Sequence, residues 1–247
     1  ARPKDFWKMS FNDKGWDNLP IPAMWELNGY DVPLYSGVGF DWKQYWGGTK
    51  NTPPKVPVEN NHVGSYRREI VVPADWNGKD IIAHFGSVSS NIYLWVNGKF
   101  VGYSEDSKLE AEFNLTSYLK LGQKNLIAFQ VFRWCDGSYL EDQDFFRFFG
   151  IFRSVELYAK PQWHVEDLWA KPYFSVEDGK GMLDAAIKIS AEDEGQRPGK
   201  MRVCLSDANG KCLLEQTQIL QSQAEQTLHL RETLAEKVIP WSHENSY

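Results

Sequence analysis

Residues 91–103 read N-I-Y-L-W-V-N-G-K-F-V-G-Y. Two arms rich in β-branched and aromatic residues, Asn91–Val96 and Lys99–Tyr103, flank Asn97-Gly98. Asn-Gly suits the centre of a type I′ turn, where both residues need positive φ, so the stretch predicts a β-hairpin. Strand-forming runs of the same character lie on either side of it: Tyr66–Val72, Ile81–Phe85, Asn125–Trp134 and Ile151–Tyr158. No long apolar stripe at helical spacing interrupts them. A short helix or turn is predicted after Asn114, whose side chain can cap Leu115–Leu119. Asn114-Leu115-Thr116 also spells a glycosylation sequon, and the cap is the preferred reading. Leu19–Val58 and Cys135–Gly150 carry no strand pattern and are predicted to be loops that hold function or cover a sheet edge. The fold class is therefore all-β, a β-sandwich with its binding residues in loops.

The chain has 247 residues, 42% hydrophobic and 24% charged, with a formal net charge of −6. That length suits two domains of roughly 100–150 residues each, and the composition excludes a disordered chain. No apolar run reaches the ~18–20 residues of a membrane span, and the first residues show no signal-peptide pattern. A sequence pI near 5.5 speaks against a nucleic-acid partner, because phosphate binding needs a basic surface. Nothing in the residues assigns a compartment. The three cysteines, Cys135, Cys204 and Cys212, are odd in number and lack metal-ligand spacing, so neither a disulfide framework nor a zinc site is expected.

Aromatic residues are distributed unevenly: 30 of the 36 lie in residues 1–159. This step, with Lys160-Pro161 directly after an apolar run, predicts a domain boundary within Ala159–Trp163 and domains of 1–159 and 160–247. In the second, Met182–Ser190 and Met201–Leu205 alternate, Asn209-Gly210 turns the chain, and Cys212–Gln216 and Thr227–Leu230 follow. Strands at such intervals predict an immunoglobulin-like sandwich, expected here to lack its final strand because that fold needs ~100 residues.

The chemistry is concentrated in residues 133–153, R-W-C-D-G-S-Y-L-E-D-Q-D-F-F-R-F-F-G-I-F-R. Asp136, Glu141, Asp142 and Asp144 stand there among aromatic residues, with Arg147 and Arg153 of opposite charge. Carboxylates beside aromatic faces suit sugar recognition, since carboxylates accept hydroxyl hydrogen bonds while rings cover C–H faces. The same oxygens suit a hard cation, and a purely structural salt-bridged loop is an equal reading. The five histidines are scattered, and no nucleophile elbow, phosphate loop or metalloprotease motif is present, so no catalytic residue is assigned.

The run D-G-S-Y-L-E-D-Q-D-F-F-R-F-F-G-I-F-R (Asp136–Arg153) resembles the sugar-binding domain of bacterial β-galactosidases of glycoside hydrolase family 2. Further likeness lies in Ile21–Tyr35, Pro53–Arg68, Leu94–Lys108 and Ile239–Tyr247. β-Glucuronidases share the sandwich but lack the Glu-Asp-Gln-Asp run. The resemblance implies a galactose-binding-like jelly roll followed by an incomplete immunoglobulin-like sandwich. It also implies catalytic glutamates in a TIM barrel of the same polypeptide, no catalysis by this chain alone, a β-galactoside substrate and an oligomeric intact enzyme. By the same resemblance, Asp144 binds a galactose hydroxyl and a sodium ion. Gly37 replaces a galactose-contacting asparagine, leaving only backbone or Val38. Glu105 and Asp136 match a magnesium-binding cluster, although Asp136 serves equally as an Asp-Gly turn residue. Phe145 and Trp134 are candidates to line the sugar pocket. A stand-alone carbohydrate-binding module and a family 2 enzyme of another specificity are the alternative functions.

Overall fold

The computed structural model describes residues 2–36, 39–40, 42, 53–161, 163–191, 199–221, 225–244 and 246. Contacts divide the chain into two compact units, Ala1–Ala159 and Lys160–Tyr247. The first holds β1 (Ala23–Met24), β2 (Leu34–Ser36), β3 (Val63–Val71), β4 (Asp80–Phe85), β5 (Val88–Ser89) and β6 (Asn91–Val96). It continues with β7 (Lys99–Glu105), β8 (Ala111–Asn114), β9 (Lys124–Phe132), β10 (Phe145–Arg147), β11 (Gly150–Ile151) and β12 (Val155–Lys160).

The Asn97-Gly98 hairpin forms as its sequence dictates: φ is 50° at Asn97 and 83° at Gly98, and Val96 pairs with Lys99. It supplies half of a four-stranded antiparallel sheet of order β3-β9-β6-β7. A second sheet, β12-β4-β8, shares one core with it. Phe85 of β4, Ile92, Leu94 and Val96 of β6, and Phe129 and Val131 of β9 meet there, all buried. Each such side chain contributes roughly 1.5–3 kcal/mol by leaving water. This is a β-sandwich, and Trp25, Phe85, Phe129, Trp134 and Phe149 are among the aromatic residues buried in its core.

The other face of the large sheet is covered by the N-terminal segment. Phe6 is fully buried with Leu126 and Ala128, and Trp7 stacks on Trp95 at 5.3 Å. Arg67 of β3 pins this segment, donating to the carbonyls of Phe6 and Lys8 and to Asp13 Oδ2 at 2.7 Å.

Two expected loops contain short strands. Leu19–Val58 holds β1, a 3-10 turn at Glu26–Asn28, and β2, while Cys135–Gly150 holds a 3-10 turn at Asp136–Leu140 and β10. Asn114 Oδ1 accepts the Thr116 N–H at 3.0 Å just ahead of a 3-10 turn, Thr116–Tyr118, whose N-cap is Leu115.

The second unit contains β13 (Trp163–Phe174), β14 (Lys180–Ala191), β15 (Gly199–Ser206), β16 (Cys212–Leu220) and β17 (Glu225–Lys237). They form an antiparallel sheet of order β13-β14-β17 and a β15-β16 hairpin. Ile187, Ile189 and Leu220 are its buried centre, packed by Trp163, Met201, Val203 and Leu228.

Candidate functional site

The site is built where two short strands meet across a long sequence interval. β10 pairs antiparallel with β2, placing Phe145 opposite Ser36, Phe146 opposite Tyr35 and Arg147 opposite Leu34. Asp144 stands immediately before β10, exposed, and its Oδ1 accepts the Tyr35 hydroxyl at 2.6 Å. The adjacent carboxylate raises the Tyr35 phenol above its usual value, because the hydrogen bond favours the neutral phenol and the negative charge opposes a phenolate. Tyr35 and Phe146 are both largely exposed, and their rings lie 5.4 Å apart. A carboxylate thus sits beside two accessible aromatic faces.

Arg147 sets the loop that presents Asp144. Its buried guanidinium donates to the Glu141 carbonyl at 2.9 Å, to Asp142 Oδ1 at 3.1 Å and to the Gln143 carbonyl at 2.6 Å. Three consecutive residues are thereby held to one rigid fork, which shapes the chain directly before Asp144. The Glu141 carboxylate in turn accepts the Ser107 N–H at 3.0 Å. Beside it, the Lys108 ammonium lies 4.5 Å from the centre of the Phe152 ring. Burial lowers its pKa, opposed by Glu141 and assisted by Arg147 and Arg153.

An open groove of about 930 Å³ adjoins this loop. Its walls include Glu105, Lys108, Gln143, Phe145, Phe146 and Phe148. Asp144 is not among them, although its sequence neighbours Gln143 and Phe145 are.

Glu105 and Asp136, distant in sequence, also come together. One carboxylate oxygen of each, and the Cys135 sulfur, lie within 4.8 Å of one another. Glu105 Oε2 accepts the Tyr103 hydroxyl at 2.9 Å. Burial pushes the Cys135 thiol up to about 11, so it stays neutral beside the two carboxylates. Two hard oxygen donors fit a magnesium ion that keeps several of its waters, and the neutral thiol does not.

Gly37 and Val38 lie outside the described residues. Trp134 is not available to a sugar: it is 1% exposed and packs edge-on against Trp42 at 5.6 Å. Phe145 is half-buried, with the Arg147 guanidinium 4.4 Å from its ring. The accessible rings are instead Tyr35 and Phe146. Tyr35 stood in the Ile21–Tyr35 run, but its partner across more than a hundred residues could not be read from spacing. Among the histidines, His62, His84, His164 and His243 each pair with a carboxylate rather than a nucleophile.

The family model of the glycosyl hydrolases family 2 sugar binding domain matches residues 2–161. A beta-galactosidase of Priestia megaterium is 39% identical over 99% of this chain, which spans 24% of that protein. One of Streptococcus thermophilus is 36% identical over 98% of this chain, again with only 22% of its own length matched. The fold is that of a Bacteroides uniformis beta-glucuronidase, with a TM-score of 0.77, 19% identity, and coverage of 98% of this chain and 27% of that one. A beta-glycosidase from Bacteroides vulgatus gives a TM-score of 0.70 at 23% identity, covering 98% of this chain and 28% of its own. The chain, with a sugar-binding β-sandwich over residues 2–161, therefore belongs to glycosyl hydrolase family 2.

Proposed function

We propose that this chain forms the sugar-binding and immunoglobulin-like part of a β-galactosidase, which hydrolyses terminal non-reducing β-D-galactose by a retaining, two-glutamate mechanism. The observation that carries the reading is Asp144, an exposed carboxylate oriented by Tyr35 and presented by the Arg147 clip. Relatives named beta-galactosidase, at 36–39% identity over nearly the whole chain, favour galactose over glucuronate. The glucuronidase neighbours, at 19% identity, speak only for the fold.

In this reading Asp144 accepts a galactose hydroxyl and holds a sodium ion, with Gly37 and Val38 completing the edge. The Tyr35 hydrogen bond occupies one lone pair of a carboxylate that offers about four, so the group retains capacity for both. Sodium bound there neutralises charge next to the sugar. Glu105 and Asp136 hold magnesium, a structural clamp between β7 and the 3-10 turn at Asp136–Leu140. The acid/base and nucleophile glutamates come from a TIM barrel of the same polypeptide. The chain alone hydrolyses nothing, and the intact enzyme is a homo-oligomer.

The test is Asp144→Asn in a glycosidase that contains this chain. A sharp fall in turnover of a nitrophenyl β-galactoside, together with lost sodium dependence, is the expected result. Unchanged kinetics at low sodium would overturn the assignment. Hydrolysis by the 247-residue chain itself, above the buffer blank, would overturn its inactivity.

A further inference from the structure

The β15–β16 hairpin of the second unit brings two cysteines together that the spacing in sequence keeps apart. Burial along β15 alternates strictly, so Arg202, Cys204 and Ser206 share its exposed face. β16 breaks its alternation at Leu213 and Leu214, both half-buried. There the register slips: Leu205 pairs with Leu214, and Ser206 with Cys212, leaving Leu213 bulged. The bulge rotates Cys212 onto the face of Glu215, three residues on, which simple alternation would forbid. Cys204 faces Glu215 directly. Three ligand groups consequently converge: Cys204 and Cys212 Sγ are 3.4 Å apart, and Glu215 Oε2 is 4.0 Å from Cys212 Sγ. All three residues are exposed, and one ligand atom of each lies within 4.8 Å of the others.

Two chemistries compete for such a pair, a disulfide and a bridging metal ion. Cys204 and Cys212 are diagonal rather than opposite neighbours. A disulfide needs its sulfurs at about 2.05 Å. Two thiolates on one tetrahedral zinc, each at about 2.3 Å, are separated by about 3.8 Å. The observed 3.4 Å is close to the second geometry and far from the first.

We propose that Cys204, Cys212 and Glu215 chelate one thiophilic divalent cation, zinc being the type case, on the exposed face of this hairpin. Water completes the tetrahedron. The metal displaces both thiol protons to solvent, and nothing is oxidised or reduced. The cation supplies the positive charge that drives both losses. Arg202 competes for Glu215, at 3.2 Å, and yields when the carboxylate turns to the metal.

The test is titration of the reduced chain with cobalt(II), then displacement by zinc against a chromophoric chelator. One equivalent with thiolate-to-cobalt charge-transfer absorption is expected. Cys204→Ser and Cys212→Ser should each weaken zinc binding by at least about 100-fold, and Glu215→Gln by about tenfold. In the unsubstituted chain, one equivalent of zinc should shield Cys204 and Cys212 from alkylation. Absence of the charge-transfer band, zinc affinity unchanged in the double serine variant, unshielded thiols, or closure to a disulfide without metal uptake would each overturn the site.

Discussion

The Tyr35 hydroxyl donates to Asp144 Oδ1 at 2.6 Å across 109 residues of sequence. This bond orients the candidate sugar-binding carboxylate from outside its own loop, and it has a titration signature. The carboxylate holds the phenol above its ordinary value near 10. Asp144→Asn removes the charge, so one tyrosine should titrate at lower pH than in the unsubstituted chain. Difference absorbance of phenolate formation reads this directly. Superimposable curves would mean that the pair does not form in solution.

Arg147 should matter more than Tyr35 for the same loop. Its guanidinium is buried and satisfies two carbonyls and Asp142, whereas Tyr35 is more than half exposed. Arg147→Ala leaves those acceptors without their donor, at a cost of about 2–4 kcal/mol. Tyr35→Phe should leave chemical-denaturation midpoints almost unchanged while altering sodium dependence in a parent glycosidase. Equal effects of the two substitutions on stability would contradict the clip.

Backbone geometry places a further constraint at Gly150, where φ is +118°. A Cβ there would stand 2.7 Å from the Ala23 carbonyl oxygen and 3.2 Å from the Trp25 ring. Those contacts come from β1 and its continuation, which pair with β11, so the chain cannot relax without opening that sheet. Gly150→Ala should destabilise by about 2–4 kcal/mol. Gly29→Ala, at φ +81° but with nothing near the new methyl, should cost only about 1 kcal/mol. Similar urea midpoints for the two variants would remove the steric argument.

The elements readable from sequence were those long enough to show a period. Asn91–Tyr103 carried its own turn chemistry, and the alternation of β14 and β15 announced their half-buried faces. β1, β2, β10 and β11 have two or three residues each, too few for alternation to register, and they form because distant partners supply their hydrogen bonds. The long β13 is exposed over most of its length and so shows no alternation, and among the described residues it pairs with β14 alone, an edge position where Pro172 is tolerated. The site divided in the same way. Asp144, Glu105 and Asp136 came from a resemblance, whereas Tyr35 and Phe146 required the β2–β10 register. The Cys204–Cys212 pair required a one-residue bulge, and spacing in sequence had argued against any metal site there.

Arg67 offers a separate measure of how the N-terminal segment is held. It is buried, while its partner Asp13 is about half exposed. Arg67→Ala strips donors from Phe6, Lys8 and Asp13 together and should cost about 3 kcal/mol, by the cost of emptying a buried charged hydrogen-bonding position. Asp13→Asn breaks only a solvent-screened pair and should cost less than about 1 kcal/mol. The Arg67 hydrogen bond holds the Asp13 carboxyl below its ordinary value. Its contribution is therefore present above pH about 3.8 and lost as pH falls through the lowered value. A wild-type minus Asp13→Asn stability difference that does not shrink in acid would refute this.

Glu26 has the opposite sign. It is 7% exposed, and its two oxygens accept the Phe149 N–H at 3.1 and 3.2 Å. Burial raises its carboxyl above the ordinary 4.5; the Phe149 hydrogen bond and Arg133 oppose the shift, and Asp31 adds to it. The folded chain therefore holds this proton more tightly than the unfolded chain does. Its stabilising contribution is full below pH about 4.5 and is lost as pH rises through the raised value. Glutamine at this position cannot titrate, yet its amide oxygen still accepts the Phe149 N–H. Glu26→Gln should thus gain stability relative to the unsubstituted chain as pH rises above about 4.5, then run parallel to it at neutral pH. Urea unfolding of both chains at intervals from about pH 4 to about pH 7.5 measures the difference, in which other titrating groups cancel. A constant difference across that range would mean that the folded and unfolded chains hold this proton equally, so that burial does not dominate the titration of Glu26.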